Sequence, residues 1–300
     1  MLTSAETSPY LSIIIPTYNR TISLRRVLAA LTTQRNVEPG MVEVIIIDDG
    51  STDDTDRTVI SFSNSSIINL RYIRQSSRGP AAARNNGIID AKGEIILIMG
   101  DDIIASPFFL YHHIYSHRIL FPNSNIAILG YSPLAGRANR PTLIQNWLNR
   151  KQMAFQNLHH MEEASYHYFY TCNISLKRDF LISNGLFDES YRYAAGEDTE
   201  LGYRLSKKAG LKIVYNEMAV GLHVHEISFL QFLKRYFYNG KASTTSRTRE
   251  IPMPELWRSS RNKLSPFHGV GPLCAVGFSV LYALSVFSFL LGSVEGQRST

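Results

Sequence analysis

The sequence predicts an α/β fold in which a mostly parallel sheet is covered by helices on both faces. Short runs that are almost wholly apolar alternate along the chain with segments whose apolar residues recur at helical spacing. Strands that are apolar throughout are typical of sheets buried on both sides. Acidic residues also stand where several of these strands end, and sheets of this type bind their ligands at the carboxyl ends of the strands.

The first hundred residues predict four strands that alternate with three helices. Leu11 to Ile15 is a β-branched run closed by Pro16, a pattern typical of a strand. Directly after it, apolar side chains recur from Leu24 to Leu31 at the spacing of one helix face. The same reasoning places strands at residues 11–15, 42–47, 70–73 and 94–99 and helices at residues 23–34, 55–61 and 80–91.

Beyond Ile103 the pattern is less regular. The predicted elements there are a helix at residues 111–115, a loop at 131–140, an aromatic-rich helical stretch at 147–170 and an amphipathic helix at 227–238. The last of these fits a helix that rests on a membrane surface or covers the site. His112, His113 and His117 do not converge on one point of a helix, so packing or solvated roles are favoured over metal binding.

The length and the cysteine content set broad limits on the protein. Three hundred residues fit either one large α/β domain with an appendage or two domains. Cys172 and Cys274 are too few and too distant in sequence for a disulfide framework or a zinc cluster, which favours a reducing compartment. Residues 1–10 are polar and contain no basic stretch followed by an apolar one, so a signal peptide is not predicted.

The basic residues are concentrated near the C-terminus. Between Gln231 and Ser265 eight Lys and Arg residues stand against two Glu residues, a local excess of +6. This equals the formal net charge of the whole chain, +6, so the rest of the chain is neutral. A neutral body with one basic segment argues against nucleic acid as a partner and for a membrane surface.

An apolar segment follows the basic one. No Asp, Glu, Lys or Arg occurs from Leu264 to Val294, which is long enough for a helix that crosses a bilayer. Basic residues directly before it place the N-terminal body on the cytoplasmic face of the cell membrane by the positive-inside rule. A buried C-terminal helix and a helix lying in the membrane interface remain as alternatives.

Three acidic pairs are the strongest indication of a site. They are Asp48-Asp49, Asp101-Asp102 and Glu197-Asp198. Carboxylates directly behind an apolar strand suit the binding of a metal ion and a phosphate-bearing substrate. The first pair could also be turn chemistry, and the third could serve the positive end of a helix dipole. The glycine-rich loops GxxxxGK[ST] and GxGxxG are missing from the sequence.

Five motifs in order resemble the inverting glycosyltransferase family 2, which has the GT-A fold. They are SIIIPTYNR at residues 12–20, IDDGSTD at 47–53, ARNNG at 83–87, GDD at 100–102 and GEDTELGYR at 196–204. The resemblance implies transfer of a sugar from a nucleotide-diphosphate donor, with a leaning to UDP, to a hydroxyl group. It also implies Mg²⁺ or Mn²⁺ as the cofactor, because a divalent cation neutralises a departing diphosphate.

The resemblance also implies roles in donor and metal binding. Asp49 would read the nucleobase, Asp101 would lie near the ribose, and Asp102 would coordinate the metal. His225 would complete the metal site, with His223 as its alternative. Gly100 stands where family members often have the first Asp of an Asp-x-Asp motif. The remaining donor contacts implied by the resemblance are Thr17, Tyr18, Arg78, Arg84 and Asn173.

The third acidic pair carries the mechanism that the resemblance implies. Asp198 would act as the general base that takes the proton of the acceptor hydroxyl, and Glu197 and Glu200 would position this base or the acceptor. The expected acceptor is an envelope polysaccharide or a glycolipid. Alternatives are a polyprenyl-phosphate or glycerolipid headgroup, or an inactive homologue that binds sugar nucleotides. The predicted parts are a GT-A domain at residues 1–225, a basic juxtamembrane segment at 226–265 and a membrane helix at 266–294.

Overall fold

A computed structural model of the chain describes residues 8–63, 67–136, 141–242, 283–289, 291 and 293–295. Within them the fold is a mixed β-sheet flanked by α-helices. The strands are β1 (Leu11–Thr17), β2 (Val42–Asp48), β3 (Asn69–Arg74), β4 (Ile95–Met99), β5 (Ile103–Ala105), β6 (Ile126–Tyr131), β7 (Glu163–Ala164), β8 (Asn173–Lys177) and β9 (Lys212–His223). The helices are α1 (Thr21–Leu31), α2 (Thr55–Ile60), α3 (Pro80–Asp90), α4 (Phe109–Tyr115), α5 (Leu143–Leu148), α6 (Arg178–Ser183), α7 (Glu197–Lys208) and α8 (Phe229–Ala242).

The sheet is parallel in the half that the N-terminal strands build and mixed in the other half. Its order is β3-β2-β1-β4-β8-β6-β9-β5, and β7 pairs with β9. β1, β2, β3 and β4 run parallel to one another. β8 is antiparallel to both of its neighbours, while β6 and β9 are parallel. The prediction of four alternating strands and three helices in this half is confirmed.

Both faces of the sheet are buried, which accounts for the continuous apolar strands. Alternate residues of β1 point to opposite faces, so Ile14 packs with α3 and Ile13 packs with α1. Both side chains are fully buried. Helices therefore cover both faces, as the sequence predicts.

The predicted helical stretch at residues 147–170 is largely wrong. α5 ends at Leu148, residues 149–153 form a π-helical turn, and Ala154 adopts a left-handed conformation with φ of 47°. A short 3₁₀ turn at Phe155–Asn157 and the strand β7 follow. The aromatic ring of Phe155 stacks on Tyr215 of β9, with 5.8 Å between ring centroids. Tertiary packing of the aromatic residues overrides local helix propensity here.

α8 packs on the body through a cluster of aromatic side chains. Phe232 and Tyr236 of α8 lie edge-on to Trp147 of α5, with ring centroids 5.5 and 5.7 Å apart. The amphipathic helix predicted at residues 227–238 therefore exists and covers part of the protein body. Lys234 on its other side is exposed.

Most of the apolar C-terminal segment lies outside the described residues. Of the membrane helix predicted at residues 266–294, the structure describes 283–289, 291, 293 and 294, and residues 283–289 are helical. The Oγ of Ser288 donates a hydrogen bond to the carbonyl of Leu233 in α8. No helix in the described ranges has both the length and the apolar character needed to cross a bilayer.

Candidate active site

Polar residues at three strand ends lie together at one edge of the sheet. Thr17 at the end of β1 pairs with Asp48 at the end of β2, and β4 lies on the other side of β1. The hydroxyl of Thr17 donates a 2.8 Å hydrogen bond to Oδ2 of Asp101, two residues past β4. The first two acidic pairs are thus brought to the edge where parallel sheets bind ligands.

Asp101 and Asp102 share one cationic partner, Arg20. Nη1 of Arg20 lies 3.2 Å from Oδ1 of Asp101, and Nη2 lies 3.1 Å from Oδ2 of Asp102. The same Nη2 lies 2.5 Å from Nδ1 of His225. Both aspartate side chains are nearly buried, whereas the Arg20 side chain is 33% exposed. One guanidinium therefore bridges two carboxylates and an imidazole.

The pairing of β5 with β9 brings two histidines to Asp102. Ile103 pairs with His223, and the carbonyl of Asp102 accepts a hydrogen bond from the backbone N–H of Val224. Nε2 of His223 is 3.3 Å from Oδ1 of Asp102, and Nδ1 of His225 is 3.5 Å from Oδ2. β9 ends at His223, so His225 lies beyond the strand, yet both imidazoles reach the same carboxylate.

Burial and neighbouring charges shift the pKa values in this cluster in opposite directions. Burial, reinforced by the charge of Asp102, raises the pKa of Asp101. Burial opposes ionisation of Asp102 too, but His223 and Arg20 hold its pKa below the ordinary value. Burial lowers the pKa of His225 to about 4, so its imidazole is neutral. Because a guanidinium can only donate, the contact with Arg20 requires the tautomer in which Nδ1 is the acceptor.

The side chains around Asp102 fit a divalent cation in kind. The carboxylate of Asp102 offers oxygen ligands that suit both Mn²⁺ and Mg²⁺, and the two imidazoles offer nitrogen ligands, which suit a transition-metal ion such as Mn²⁺ better than Mg²⁺. Nδ1 of His223 is buried and has no hydrogen-bond partner. No group of three or more His, Cys, Asp or Glu side chains in the described part of the chain forms a ready-made metal cage. The donor set thus has the chemistry for an open site to which a substrate would add ligands.

The first acidic pair organises the loop between β3 and α3. Asp49 Oδ1 accepts hydrogen bonds from Nε2 of Gln75 and the backbone N–H of Arg78, and Oδ2 accepts one from the N–H of Gly79. Gly79 has a φ of 91°, and a Cβ there would lie 2.7 Å from a backbone carbonyl. Asp48 accepts hydrogen bonds from the N–H of Ser51 and the hydroxyl of Tyr72. The turn role is therefore real for both aspartates, and the role of Asp49 at a nucleobase stays a prediction.

The other predicted donor contacts are spread around this edge. Tyr18 is 51% exposed, so its ring face is open to stacking. Arg78 is also exposed and forms an ion pair with Glu189. Arg84 of α3 is buried, lies over the ring of Phe187, and contacts the third acidic pair rather than the first.

The third acidic pair begins α7. Nη1 of Arg84 lies 2.9 Å from Oε1 of Glu197, and both side chains are nearly buried. Asp198 accepts a hydrogen bond from the N–H of Thr199. Burial, and after it the charge of Glu197, raises the pKa of Asp198 to about 6 despite the opposing charges of Arg84 and Arg235. A carboxylate with a pKa close to neutrality is suited to general-base catalysis.

Two predicted site residues, Glu200 and Asn173, have their polar atoms bonded to other groups of the protein. Oε1 of Glu200 is 3.0 Å from Nε of Arg204, which also donates hydrogen bonds to three carbonyls in residues 184–186. Asn173 is fully buried. Its Nδ2 donates to Ser132 and to the carbonyl of Ala219, and its Oδ1 bonds His113. This placement favours structural roles for both over the predicted acceptor and donor contacts, because their polar atoms are already bonded.

Cys172 interacts electrostatically with both Asp102 and the candidate base, Asp198. Burial raises the pKa of its thiol to about 12, and the charges of Asp102 and Asp198 add to the increase. The carbonyl of Cys172 accepts a hydrogen bond from the N–H of Gly100. The charges of Asp102 and Asp198 thus both reach Cys172, so the two carboxylates belong to the same region of the protein.

A cavity of about 900 Å³ adjoins the cluster, because Arg20 and His225 both line it. Its lining includes Arg20, Arg26, Asp53, Asp54, His225 and Glu226. The start of α1 also lines it. The Arg20 guanidinium, which bridges the two carboxylates, therefore borders the cavity.

Arg20 is the site residue that the sequence analysis missed. Its position in the sequence could have indicated this role. Arg20 follows the end of β1 by three residues, and the neighbouring strands end at or just before aspartates. The sequence favours His225 over His223 as a metal ligand, whereas the structure brings both to Asp102. Arg235 belongs to the predicted basic segment, yet it lies near enough to Asp198 to lower the pKa of that residue.

Comparisons with known proteins agree with this arrangement. The family model described as Glycosyl transferase family 2 matches residues 12–180. A chondroitin synthase of Escherichia coli is 26% identical over 299 residues, which cover 84% of this chain and 42% of the relative. Over five such relatives the match covers between 22% and 51% of the relative, so the chain spans about half of their length or less.

Two solved structures share the fold. The mannosyltransferase PcManGT of Pyrobaculum calidifontis, in complex with GDP-Man and Mn²⁺, has a TM-score of 0.67 at 16% identity and covers 98% of this chain and 88% of its own. TarS 1–349 of S. aureus, in complex with UDP-GlcNAc, has a TM-score of 0.55 at 16% identity and covers 97% of this chain and 92% of its own. At this identity the likeness establishes the fold alone.

Proposed function

Because the chain belongs to glycosyltransferase family 2, we propose that it moves a sugar from a nucleotide-diphosphate donor to a hydroxyl of an envelope polysaccharide or glycolipid, with inversion in one displacement. A UDP-sugar is the proposed donor. PcManGT was solved with GDP-Man and TarS with UDP-GlcNAc, and a chondroitin synthase is among the relatives. These similarities support a sugar nucleotide as donor and a polysaccharide as acceptor.

The observation that carries the proposal is that Asp198 stands in the first turn of α7 beside the buried Arg84–Glu197 ion pair and, like Asp102, acts electrostatically on Cys172. Single displacement requires a base on the side of the sugar opposite to the departing diphosphate. In the proposed reaction Asp198 takes the acceptor hydroxyl proton while the acceptor oxygen bonds to the anomeric carbon. The bond from that carbon to the diphosphate breaks, and the nucleoside diphosphate leaves with the electron pair.

Neighbouring residues would prepare Asp198 for this role. Arg84 neutralises Glu197 at the first turn of α7, so the charge next to Asp198 is reduced without being removed. Burial keeps the pKa of Asp198 near 6, which leaves the carboxylate ionised at pH 7 but still basic. A divalent cation held by Asp102 and His225, with His223 nearby, would neutralise charge on the diphosphate.

The edge formed by β1, β2 and β4 would receive the donor. Tyr18 offers an exposed ring for stacking on the base, and Asp49 fixes the loop that carries Arg78. We also propose that the basic and apolar segments at residues 226–265 and 266–294 hold the enzyme at the cytoplasmic face of the cell membrane. The local charge excess and the uncharged segment in the sequence support this part.

Asp198→Asn tests the proposed mechanism. The amide is similar in shape but cannot take the proton, so we expect kcat to fall by roughly 10²- to 10⁴-fold while the donor still binds. Transfer from UDP-sugars would be followed as nucleotide release, and donor affinity by calorimetry. Asp179→Asn is the matched control, because the Asp179 side chain is 97% exposed. Turnover by Asp198→Asn equal to that of the unchanged protein would refute the mechanism.

A further inference from the structure

Arg20 occupies the position between the two carboxylates where a bound cation is expected. Its Nη1 and Nη2 lie 3.2 and 3.1 Å from oxygens of Asp101 and Asp102, respectively. Nη2 also reaches Nδ1 of His225 at 2.5 Å. The guanidinium therefore uses lone pairs of three side chains, two of which are proposed metal ligands.

A guanidinium and a divalent cation exclude each other from these atoms. Mg²⁺ binds oxygen ligands at roughly 2.0–2.1 Å, and each ligand must turn a lone pair toward the metal. The lone pairs of Asp102 and His225 that face Arg20 are engaged by its N–H groups. Like charges at such separations also repel strongly where burial reduces screening by water. Metal binding thus requires the Arg20 side chain to move.

The structure provides space for that movement. Arg20 is one third exposed and lines the adjoining cavity of about 900 Å³. Asp53, Asp54 and Glu226 line the same cavity together with one other cation, Arg26, so acidic side chains outnumber basic ones around the space into which the guanidinium would turn. A displaced Arg20 would therefore keep a favourable electrostatic environment.

When no cation is bound, Arg20 stabilises the fold by pairing with the two aspartates. Two carboxylates that are more than nine-tenths buried lie side by side at Asp101 and Asp102. Leaving buried charges unpaired is strongly destabilising. The guanidinium pairs with both of them and so holds the ends of β1, β4 and β9 together.

We propose that Arg20 controls metal occupancy of the site, bridging Asp101, Asp102 and His225 when the cation is absent and turning into the adjoining cavity when it binds. The inference rests on the proposed function only in taking Asp102 and His225 as metal ligands. Its consequence is that the free protein binds divalent cations weakly. Metal occupancy then depends on an interaction that offsets the free-energy cost of displacing Arg20, such as the binding of the cation to the diphosphate of the donor.

The test is direct measurement of Mn²⁺ binding to the full chain without donor. Free Mn²⁺ is followed by electron paramagnetic resonance for the unchanged protein, Arg20→Gln, Arg20→Lys and the control Arg26→Gln. Arg26 lines the same cavity but is not a partner of Asp101 or Asp102 in the described residues. We expect Arg20→Gln to bind Mn²⁺ at least tenfold more tightly, Arg20→Lys to fall between, and Arg26→Gln to match the unchanged protein.

Thermal unfolding gives a second measurement that does not depend on turnover. Arg20→Gln without metal should unfold at a lower temperature than the unchanged protein, because its two aspartates lose their partner. Saturating Mn²⁺ should raise its Tm by roughly 3–5 °C more than that of the unchanged protein, which corresponds to a tenfold difference in affinity.

Equal or weaker Mn²⁺ binding by Arg20→Gln would overturn the proposal. A failure of both proteins to bind Mn²⁺ would also overturn it, because there would be no cation for Arg20 to exclude. Sugar transfer measured in excess EDTA separates this failure from that of the proposed function. Transfer that persists in EDTA would leave the glycosyltransferase mechanism standing without the metal.

Discussion

Asp49 is a buried carboxylate and Asp198 is a partly buried one, and their surroundings give them different chemistry. Asp49 accepts hydrogen bonds from two backbone N–H groups and two side chains, which fixes a loop. In the part of the chain that the structure describes, Asp198 accepts hydrogen bonds from Thr199 and lies beside Glu197. Burial and the charge of Glu197 make Asp198 costly to ionise, which raises its pKa.

The raised pKa of Asp198 predicts how transfer depends on pH. The base must be ionised, so kcat/KM should be lost as pH falls through about 6 and should reach a plateau above it. Burial and Glu197 both raise this pKa. Glu197→Gln should therefore move the midpoint to lower pH, and the profile would be measured from pH 4.5 to 8.5.

The control for this pH profile is Glu38→Gln, since Glu38 is an exposed residue of the loop before β2. It should leave the midpoint unchanged. A midpoint that stays in place in Glu197→Gln, or that moves to higher pH, would contradict the assignment of Asp198 as the titrating base.

Sequence motifs identify which residues are polar and near strand ends, but not which partner each side chain takes. Thr17, Asp101 and Asp102 lie together as expected because parallel strands end at one edge. Arg84 bonds Glu197, which is 113 positions away in the sequence. Such long-range pairs depend on how α3 and α7 pack, and local pattern contains no information about that.

At the scale of elements, the half of the sheet built by alternating strands and helices was predictable and the other half was not. β1, β2 and β4 are almost continuous apolar runs, and helices separate the first four strands. β7 has two residues and β5 has three, too short for a periodic pattern. β9 is twelve residues long and joins three other strands, so its pairing depends on distant segments. The mixed GT-A-like sheet therefore emerges only from the complete structure.

A buried polar network ties β8 to α4 and β9. His113 and His117 of the α4 region both contact Oγ of Ser175, and His113 also contacts Asn173. Burial lowers the pKa of His113 to about 4 and that of His117 to about 3. Both imidazoles are thus neutral, which agrees with the packing role favoured by the sequence. The network holds β8 in place next to Cys172 and the strand end at Gly100.

Asn173→Ala tests this role for Asn173. The substitution leaves buried groups on His113, Ser132 and Ala219 without partners, each worth about 1–3 kcal/mol. We expect the free energy of unfolding in urea to fall by about 3 kcal/mol while the donor KM of the folded enzyme stays within about twofold. Asn125→Ala removes a matched but exposed hydrogen bond to Gly210 and should cost little. Unchanged stability with a sharply raised donor KM would restore Asn173 as a donor contact.

At the scale of the whole molecule, α8 connects the catalytic edge to the basic segment. Phe232 and Tyr236 pack on Trp147, while Arg235 acts on the pKa of Asp198 and Lys234 is exposed. Of these two neighbouring basic residues in α8, Arg235 therefore lies near the site, and Lys234 is exposed to solvent. Membrane attachment close to α8 would bring the acceptor side of the site near the lipid surface.

The proposed membrane attachment can be tested by removing the uncharged C-terminal segment while keeping the basic one. The chain ending at residue 264 keeps the basic residues but loses the uncharged segment from Leu264 onward almost entirely. We expect it to bind anionic vesicles at low salt and to leave them at 0.5 M NaCl, because exposed charges are screened there. The full chain should stay in the membrane fraction at high salt and in carbonate at pH 11.

A full-length variant controls for an effect of the truncation on folding. Val280→Arg places a charge near the middle of the apolar segment, which costs about 2.5–3.5 kcal/mol for insertion, and should shift the chain toward the salt-sensitive behaviour of the truncated form. Val280→Leu is the matched control and should fractionate like the unchanged protein. Donor hydrolysis by each variant would report that the catalytic body is folded. If the truncated chain remained wholly membrane-bound at high salt, the uncharged segment would not be the anchor, and attachment would have to reside in the body and α8.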